Sequence, residues 1–242
     1  MHIAVVTGAA GGMGRAISAQ LVADGLEVHG LDIDAGGLDR VASDVGSAFH
    51  GHGIDLTDPD AIKRVFDGIT ADRGGVDVLV NNAGTCFMGE FPHIEAAELD
   101  RQMTLNFSAA FHCCQAAIIA MENRPGVRKI VNISSNGAYN FDVFDPPHYR
   151  ASKAALDTLT KDLARRYARE KICVNSIAPA MTETPLFNVL SEEVLKDAIA
   201  KMPHGRAMQP AEVAAWVGFL VSPAGDIASG NVIILNQGRD VR

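Results

Sequence analysis

Tyr149 and Lys153 stand four residues apart in Tyr149-Arg150-Ala151-Ser152-Lys153, a spacing that puts both side chains on one face of a helix. A phenol titrates near ~10 in water, too high for proton exchange at neutral pH. A neighbouring ammonium favours the phenolate and makes the tyrosine a usable acid and base. Ser135 ends the run Ile130-Val131-Asn132-Ile133-Ser134-Ser135, where its hydroxyl can hydrogen-bond a substrate oxygen. Alone, a Tyr and Lys so spaced are most often a surface pair. They gain meaning from Thr7-Gly8-Ala9-Ala10-Gly11-Gly12-Met13-Gly14, which follows a strand-like run and opens a helix. Such a turn lets backbone approach a pyrophosphate, and the helix N-terminus offers free N–H groups and partial positive charge.

Three further residue groups fit the same ligand. Asp32, in Leu31-Asp32-Ile33, can accept hydrogen bonds from an adenosine ribose and would repel a 2′-phosphate. Asp55-Leu56 ends the third strand, where a side chain can touch an adenine. Asn81-Asn82-Ala83-Gly84 ends the fourth. Its amides can tie strand ends together, and Gly84 permits close approach. Together they read as a dinucleotide groove.

Positioning these residues requires a particular alternation of elements. Strand-like runs fall at Ile3–Thr7, Glu27–Leu31, Ala48–Ile54, Val76–Asn81, Lys129–Ile133, Cys173–Ile177 and Val232–Leu235. Helical patterns fall at Met13–Ala23, Pro59–Ala71, Ala96–Met121, Tyr149–Arg169, Glu192–Lys201 and Pro210–Val221, with a weaker one at Leu38–Val45. Strands apolar on both faces, alternating with helices, predict an α/β protein with a Rossmann-like, doubly wound parallel sheet of about seven strands and helices on both faces. No linker or repeat divides the chain, so residues 1–242 are expected to form one domain. Long segments after three strand ends, Ala83–Glu95, Ser134–His148 and Ala178–Ser191, are where ligands bind in such sheets.

Composition narrows the function classes. The 242 residues carry 29 acidic and 21 basic side chains, a formal charge of −8, which argues against nucleic-acid or anionic-membrane surfaces. No uninterrupted apolar run reaches the ~18 residues of a membrane span, and the strand at Ile3 leaves no room for a signal peptide. Cys86, Cys113, Cys114 and Cys173 form no C-x-x-C pair, so disulfides are not expected and a reducing cytoplasm is. His50-x-His52 lacks a third ligand nearby in sequence and reads as a partly exposed strand face, so no metal is expected. Cys113-Cys114 reads as core. His148 either lines the pocket or caps the approach to its helix.

The chain resembles a short-chain dehydrogenase/reductase over essentially its whole length. The resemblance rests on Thr7-Gly8-x-x-x-Gly12-x-Gly14, Asn81-Asn82-Ala83-Gly84, Asn106, Ser135, Tyr149-x-x-x-Lys153 and Val174-Asn175-Ser176-Ile177-Ala178-Pro179. It implies Tyr149 as general acid/base, with Lys153 lowering its pKa and holding the nicotinamide ribose. Ser135, preferred over Ser134, would orient the substrate oxygen, and Asn106 would hold a relay water behind Lys153. Thr182, with Pro179 and Ala180, would meet the nicotinamide. Gly8, Gly11, Gly12, Met13, Gly14, Asp32, Ile33, Asp55, Leu56, Asn82, Ala83 and Gly84 would bind the cofactor. Basic residues common in NADP-preferring members are replaced here by Gly11 and Ile33, so NAD is expected over NADP. Pro179-Ala180 stands where Pro-Gly is common, and Asn236-Gln237-Gly238-Arg239 where Asp-Gly-Gly is usual. A homotetramer is implied, joined through the Ala96–Met121 and Tyr149–Arg169 helices, with a dimer the lesser possibility.

The expected activity is hydride transfer between NAD(H) and a secondary alcohol or ketone. The substrate region carries Tyr139, Phe141 and Phe144, then Leu186, Phe187, Val189 and Leu190, which suits an apolar or aromatic small molecule. Asp142 and Asp145, with no Lys or Arg between Ser134 and His148, suit phosphate, CoA or carboxylate groups poorly. A 3-oxoacyl-thioester reductase is the alternative enzyme, and a catalytically silent NAD-binding sensor or scaffold the alternative of another class.

Overall fold

The structure, a computed structural model, describes residues 2–141, 145–185, 187 and 191–240. Seven strands form one parallel sheet in the order β3-β2-β1-β4-β5-β6-β7. They are β1 (Ile3–Thr7), β2 (Glu27–Asp32), β3 (Phe49–Gly53), β4 (Val78–Asn81), β5 (Arg128–Ile133), β6 (Ile172–Pro179) and β7 (Val232–Leu235). The chain winds outward from β1 to one edge, returns to β4, and winds to the other. This creates the topological switch between the carboxyl ends of β1 and β4, the doubly wound arrangement that the alternation of apolar runs predicts.

Period-two alternation divides the sheet between two cores. Ala4 and Val6 face a cluster with Ile17 and Leu21 of α1 (Gly12–Ala23), Leu38 and Val41 of α2 (Ala35–Val45), and Val213, Val217 and Leu220 of α8 (Pro210–Val221). Ile3 and Val5 face the other, with Ile62 and Phe66 of α3 (Pro59–Arg73) and Cys113, Ala117 and Met121 of α5 (Ala109–Met121). A strand with both faces covered needs apolar residues at every position, hence the unbroken Ile3-Ala4-Val5-Val6. Helix α3 starts at Pro59, with the Asp58 carboxylate accepting from Asp60 N at 2.9 Å, and stops at Gly74 in the left-handed region (φ 77).

Boundaries differ where tertiary contacts outvote pattern. β4 is regular from Val78; Asp77 before it still bonds across through its main chain, N–H to Ile3 O (2.8 Å) and C=O from Lys129 N (2.9 Å), while its buried carboxylate accepts from Ile3 N (2.7 Å) and pairs with Arg124 (2.5 Å). α6 (Pro147–Arg166) starts two residues before Tyr149 and ends before Arg169. The Ala96–Met121 segment is helical throughout but is not one regular helix. α4 (Ala96–Met103) and α5 are joined by a π-turn over Thr104–Ser108. By length and composition alone this segment would suffice to cross a membrane, which a search for uninterrupted apolar residues does not register. Here it carries the buried polar residues Gln102 and Asn106 and packs α5 on the sheet. α7 spans Glu192–Ala200.

Two details revise the sequence reading of side chains. His50 and His52 do share one face of β3, and β2 supplies the neighbours that sequence distance hid. His29 Nδ1 lies 3.0 Å from His52 Nε2, and Glu27 Oε1 lies 3.2 Å from His29, 3.3 Å from His50 and 2.6 Å from Arg73. Among the described residues no group of three or more His, Cys, Asp or Glu is arranged to hold a metal ion. All four cysteines are free and buried.

Candidate active site

The strand ends around the switch point are locked by side chains. Thr7 Oγ1 accepts from both Asn82 N and Ala83 N at 3.0 Å, and Asn82 Nδ2 donates to Thr7 O (3.0 Å) and Gly8 O (3.1 Å). Asn81 Nδ2 donates to Asn132 Oδ1 across β4 and β5 at 2.8 Å, and Asn132 Nδ2 to Thr160 Oγ1 at 2.8 Å. These bonds tie the strand ends together so that the loops project from a fixed edge, although Asn81 Oδ1 and Asn82 Oδ1 are buried without a partner among the described residues.

A groove of about 830 Å³ opens above that edge. Gly8, Gly11, Gly12, Met13, Asp32, Ile33, Asp55, Leu56, Asn82, Ala83 and Gly84 all line it, joined by Ile54, Thr57, Thr104, Leu105, Thr184 and Pro185. Gly14 does not line it. A Cβ there would lie 2.0 Å from Gly8 O and 2.8 Å from Asn82 Nδ2, so this glycine lets α1 press against the first turn. Asp32 Oδ2 accepts from Ala10 N and Oδ1 from Asp34 N, both at 3.0 Å, which fixes the carboxylate at the groove wall. The floor is bare backbone at the N-terminus of a 12-residue helix whose N-cap, Gly11, makes no side-chain cap hydrogen bond. A long, narrow ligand with a central pyrophosphate and a diol near one end fits these walls.

A second cavity of about 120 Å³ adjoins the groove at Met13 and Thr184, which line both. Ser134, Ser135, Tyr149, Pro179, Ala180 and Thr182 line it, together with Cys86, Met88, Asn136, Gly137, Asp145, Met181, Phe187 and Arg239. Ser135 Oγ accepts from Gly137 N at 3.0 Å and lies beside the Tyr149 phenol. Ser134 Oγ turns inward and donates to Asp157 Oδ2 at 2.9 Å. Thr182 Oγ1 donates to Ala180 O at 3.0 Å.

Lys153 lines neither cavity. Its Nζ donates to Ile133 O at 2.9 Å and lies 3.2 Å from where a Gly84 Cβ would stand, directly under the groove floor. Asn106, in the π-turn, accepts from Thr85 N (2.9 Å) and donates to Thr85 O (2.9 Å) and Ser152 Oγ (3.1 Å). Its amide therefore pins the segment after Gly84 to α6.

The electrostatics correct one expectation. The Tyr149 phenol is pushed up, not down, by burial and by the Asp145 carboxylate, against a smaller downward pull from Ser135. Lys153 does not reverse this, because its ammonium lies 6.0 Å from the phenol ring centre and points at a main-chain carbonyl. Burial brings Lys153 itself down to about 8, opposed by the Asp157 carboxylate one helical turn on. Asp157 accepts from Ser176 Oγ (2.6 Å), Tyr139 OH (2.7 Å) and Ser134 Oγ (2.9 Å) beneath the site. Burial also pushes the Cys86 thiol up to about 12, leaving it a neutral wall of the cavity.

Of the residues expected as an apolar lining, two of the three described ones turn away from the cavity. Tyr139 points down to Asp157, and Phe141 is 72% exposed with Arg150 over its face. Phe187 lines the cavity, with Met13, Met88 and Met181 adding to its apolar wall. Asp142, Phe144, Leu186, Val189 and Leu190 lie outside the described residues. His148 is buried facing the Phe87 carbonyl and Glu98, away from the cavity. Arg239 was not foreseen as lining. Asp240 accepts from Asn140 Nδ2 (2.6 Å) and Asn136 Nδ2 (3.2 Å), and this draws the tail over the cavity. The sequence signal was only a tail departing from its usual composition.

Comparison with known proteins agrees with this geometry. A family model described as enoyl-(acyl carrier protein) reductase matches residues 8–240. The chain is 32% identical over 237 residues to a 3-oxoacyl-[acyl-carrier-protein] reductase of Vibrio cholerae, covering 98% of this chain and 96% of that one. A solved structure from Brucella melitensis, titled short-chain dehydrogenase/reductase, glucose/ribitol dehydrogenase, superposes with a TM-score of 0.92 at 30% identity, covering 100% of this chain and 97% of that one. A 3-ketoacyl-(acyl-carrier-protein) reductase from the same organism, complexed with NADH, superposes with a TM-score of 0.91 at 26% identity over 99% of this chain and 98% of that one. With a helix N-terminus facing a long groove, and serine and tyrosine in the cavity beside it, the chain belongs to the short-chain dehydrogenase/reductase family, whose members are oxidoreductases using a nicotinamide cofactor.

Proposed function

We propose that this oxidoreductase moves a hydride between NAD(H) and the carbinol or carbonyl carbon of a small secondary alcohol or ketone. The observation that carries the reading is the meeting of the two cavities, with Ser135 and Tyr149 on the smaller and backbone at a helix N-terminus on the larger. The cofactor supplies the hydride. Tyr149, a neutral phenol in its surroundings, gives its proton to the carbonyl oxygen in reduction, and in oxidation it must first lose that proton to solvent so that the phenolate can take one from the hydroxyl. Ser135 would orient that oxygen, Lys153 would hold ribose hydroxyls once the cofactor is bound, and Asn106 keeps the Gly84–Thr85 segment in place beside Lys153. Gly8, Gly11, Gly12 and Met13 meet the pyrophosphate, Asp55 and Leu56 the adenine, and Pro179, Ala180 and Thr182 the nicotinamide.

NAD is the preferred form, because a fixed Asp32 carboxylate and the exposed Ile33 stand where a 2′-phosphate would need cations. The NADH complex of a similar structure supports this. Free thiols at all four cysteines support a reducing, cytoplasmic setting. A 3-oxoacyl-thioester reductase is the second reading, favoured by the names of the relatives. Against it, the cavity that the described residues enclose is about 120 Å³, below the ~300 Å³ at which drug-sized pockets begin. The glucose/ribitol dehydrogenase title of a similar structure favours a small alcohol.

The test is a panel of secondary alcohols with NAD and NADP, run beside acetoacetyl-CoA with NADH and NADPH. Tyr149→Phe should lower turnover on the accepted substrate at least ~100-fold while NADH still binds. Lys153→Ala should weaken both binding and turnover, and Ser135→Ala turnover alone. A Tyr149→Phe enzyme that keeps most of its rate refutes the assignment.

A further inference from the structure

Asp145 is a carboxylate of the small cavity that the hydride-transfer reading leaves without a task. It lines the cavity with Ser135 and Tyr149, and among the described residues no donor hydrogen-bonds its carboxylate. Arg150, the nearest cation to act on it, binds the Asp145 main-chain oxygen through Nε at 2.7 Å and directs Nη1 to the carbonyls of Gly137 and Asn140. Arg239 lines the same cavity. Space for the carboxylate comes from Gly137, where a Cβ would lie 2.3 Å from Asp145 Oδ2 and 3.2 Å from Ser135 Oγ. Those two oxygens, both so close to one point, are therefore within about 5.5 Å of each other.

A half-buried carboxylate without a donor is costly, since burial penalises its charge and, among the described residues, only the charge of Arg150 offsets the lost water. Burial accordingly raises its pKa above the ordinary carboxylate range. A substrate oxygen on Ser135 and Tyr149 places the adjoining carbon beside this carboxylate, and a donor on that carbon completes the missing hydrogen bond. A substrate without one leaves Asp145 desolvated and unpaired.

We propose that Asp145 is a specificity-determining residue that selects substrates bearing a hydrogen-bond donor, hydroxyl or ammonium, on the carbon next to the reacting carbinol. The preferred class is then vicinal diols and 1,2-amino alcohols, not simple secondary alcohols. This rests on the hydride-transfer reading of the site and sharpens it.

Three compounds of one skeleton test it: 2-butanol, 2,3-butanediol and 3-amino-2-butanol, each as separate stereoisomers with saturating NAD. For the wild-type enzyme the best isomer of the diol or amino alcohol should exceed 2-butanol at least ~10-fold in kcat/KM, the factor expected for one hydrogen bond to a charged group. Asp145→Ala should collapse that ratio for both. Asp145→Asn, which keeps an acceptor but no charge, should preserve more of the diol preference than of the amino-alcohol preference. NADH affinity and melting temperature report whether a variant folds, and the wild-type ratio stands even where neither does. A wild-type ratio near one, or a variant that lowers all three substrates by one factor, overturns the role of Asp145 while leaving hydride transfer intact. Failure of the wild-type enzyme on every secondary alcohol and ketone, with either cofactor, overturns the functional reading and the Asp145 proposal with it.

Discussion

Replacing Asp157 by Asn removes the carboxylate that holds up the Lys153 ammonium. The Lys153 midpoint stands at about 8, brought down by burial and supported by Asp157. Side chains four apart on a helix approach to ~5–6 Å, and unit charges ~6 Å apart at an effective dielectric near 20 interact by about 3 kcal/mol. Reorientation of Ser134, Tyr139 and Ser176, which now point at the carboxylate, would recover roughly half. About 1.4 kcal/mol then remains, which is tenfold in proton affinity. The Lys153 midpoint should fall from about 8 to near ~7. At pH 7.5 the charged fraction would drop from about three quarters to about one quarter. NADH dissociation constants, measured by fluorescence from pH 6 to 9, should weaken on the alkaline side in both enzymes. The midpoint of that weakening should sit about one pH unit lower in Asp157→Asn, and the two curves should converge near pH 6. Coincident midpoints, or a weakening independent of pH, would show that Asp157 does no more than fill space.

NAD should exceed NADP in kcat/KM by at least ~10-fold, which needs only about 1.4 kcal/mol of repulsion at Asp32. Asp32→Ser should narrow the gap, and equal use of both cofactors by the wild-type enzyme would refute the role given to Asp32. His29 is held at about 4 by burial and by the imidazoles of His52 and His50. Its folded value lies below its unfolded value of 6.5, so the unfolded chain takes the proton first as pH falls. Stability is then lost between about pH 6.5 and 4, amounting to about 3 kcal/mol. Urea midpoints should show a smaller acid loss in His29→Asn than in the wild type, and equal losses would contradict this. Light scattering should report a tetramer, for which Phe111 and Ile119 on α5 and Trp216 and Phe219 on α8 offer exposed apolar surface. A stable monomer of 25.6 kDa at micromolar concentration would rule it out.

The sheet was legible because most strands are short apolar, β-branched runs between helices, β3 (Phe49-His50-Gly51-His52-Gly53) being the exception, and the order of such runs leaves one economical topology. The groove was legible for the same local reason. Gly8 to Met13, Asp32, Asp55 and Asn82 to Gly84 all sit at strand ends, so knowing the strand locates the residue. The small cavity was legible only in part: Ser135, Tyr149, Pro179, Ala180, Thr182 and Phe187 follow from motif and segment, whereas Met88 and Arg239 reach it from segments whose paths depend on side-chain hydrogen bonds such as Asn140 to Asp240. Asp157 escaped notice because a carboxylate inside a helix ordinarily faces water, and only Tyr139, Ser134 and Ser176, from three separate segments, reveal it as buried. The direction of the Tyr149 shift was misjudged because spacing gives the face shared with Lys153 but not where the ammonium points.

The π-turn at Thr104–Ser108 fixes how this part of the chain can change length. A π-turn holds one residue more than the α-helix it interrupts, and each helical residue turns the chain by about 100°. Deleting one residue there would let α4 and α5 fuse into a regular helix, yet the two ends could no longer keep their present faces. Either Asn106 would swing away from Thr85 and Ser152, or Cys113, Ala117 and Met121 would swing off the sheet. The turn at Gly74 and Gly75, by contrast, sits at the helix exit, outside any such phase relation. Insertions and deletions are therefore tolerated unevenly: between α3 and β4 they alter a loop, whereas inside this helix they would shift the reading frame of its faces.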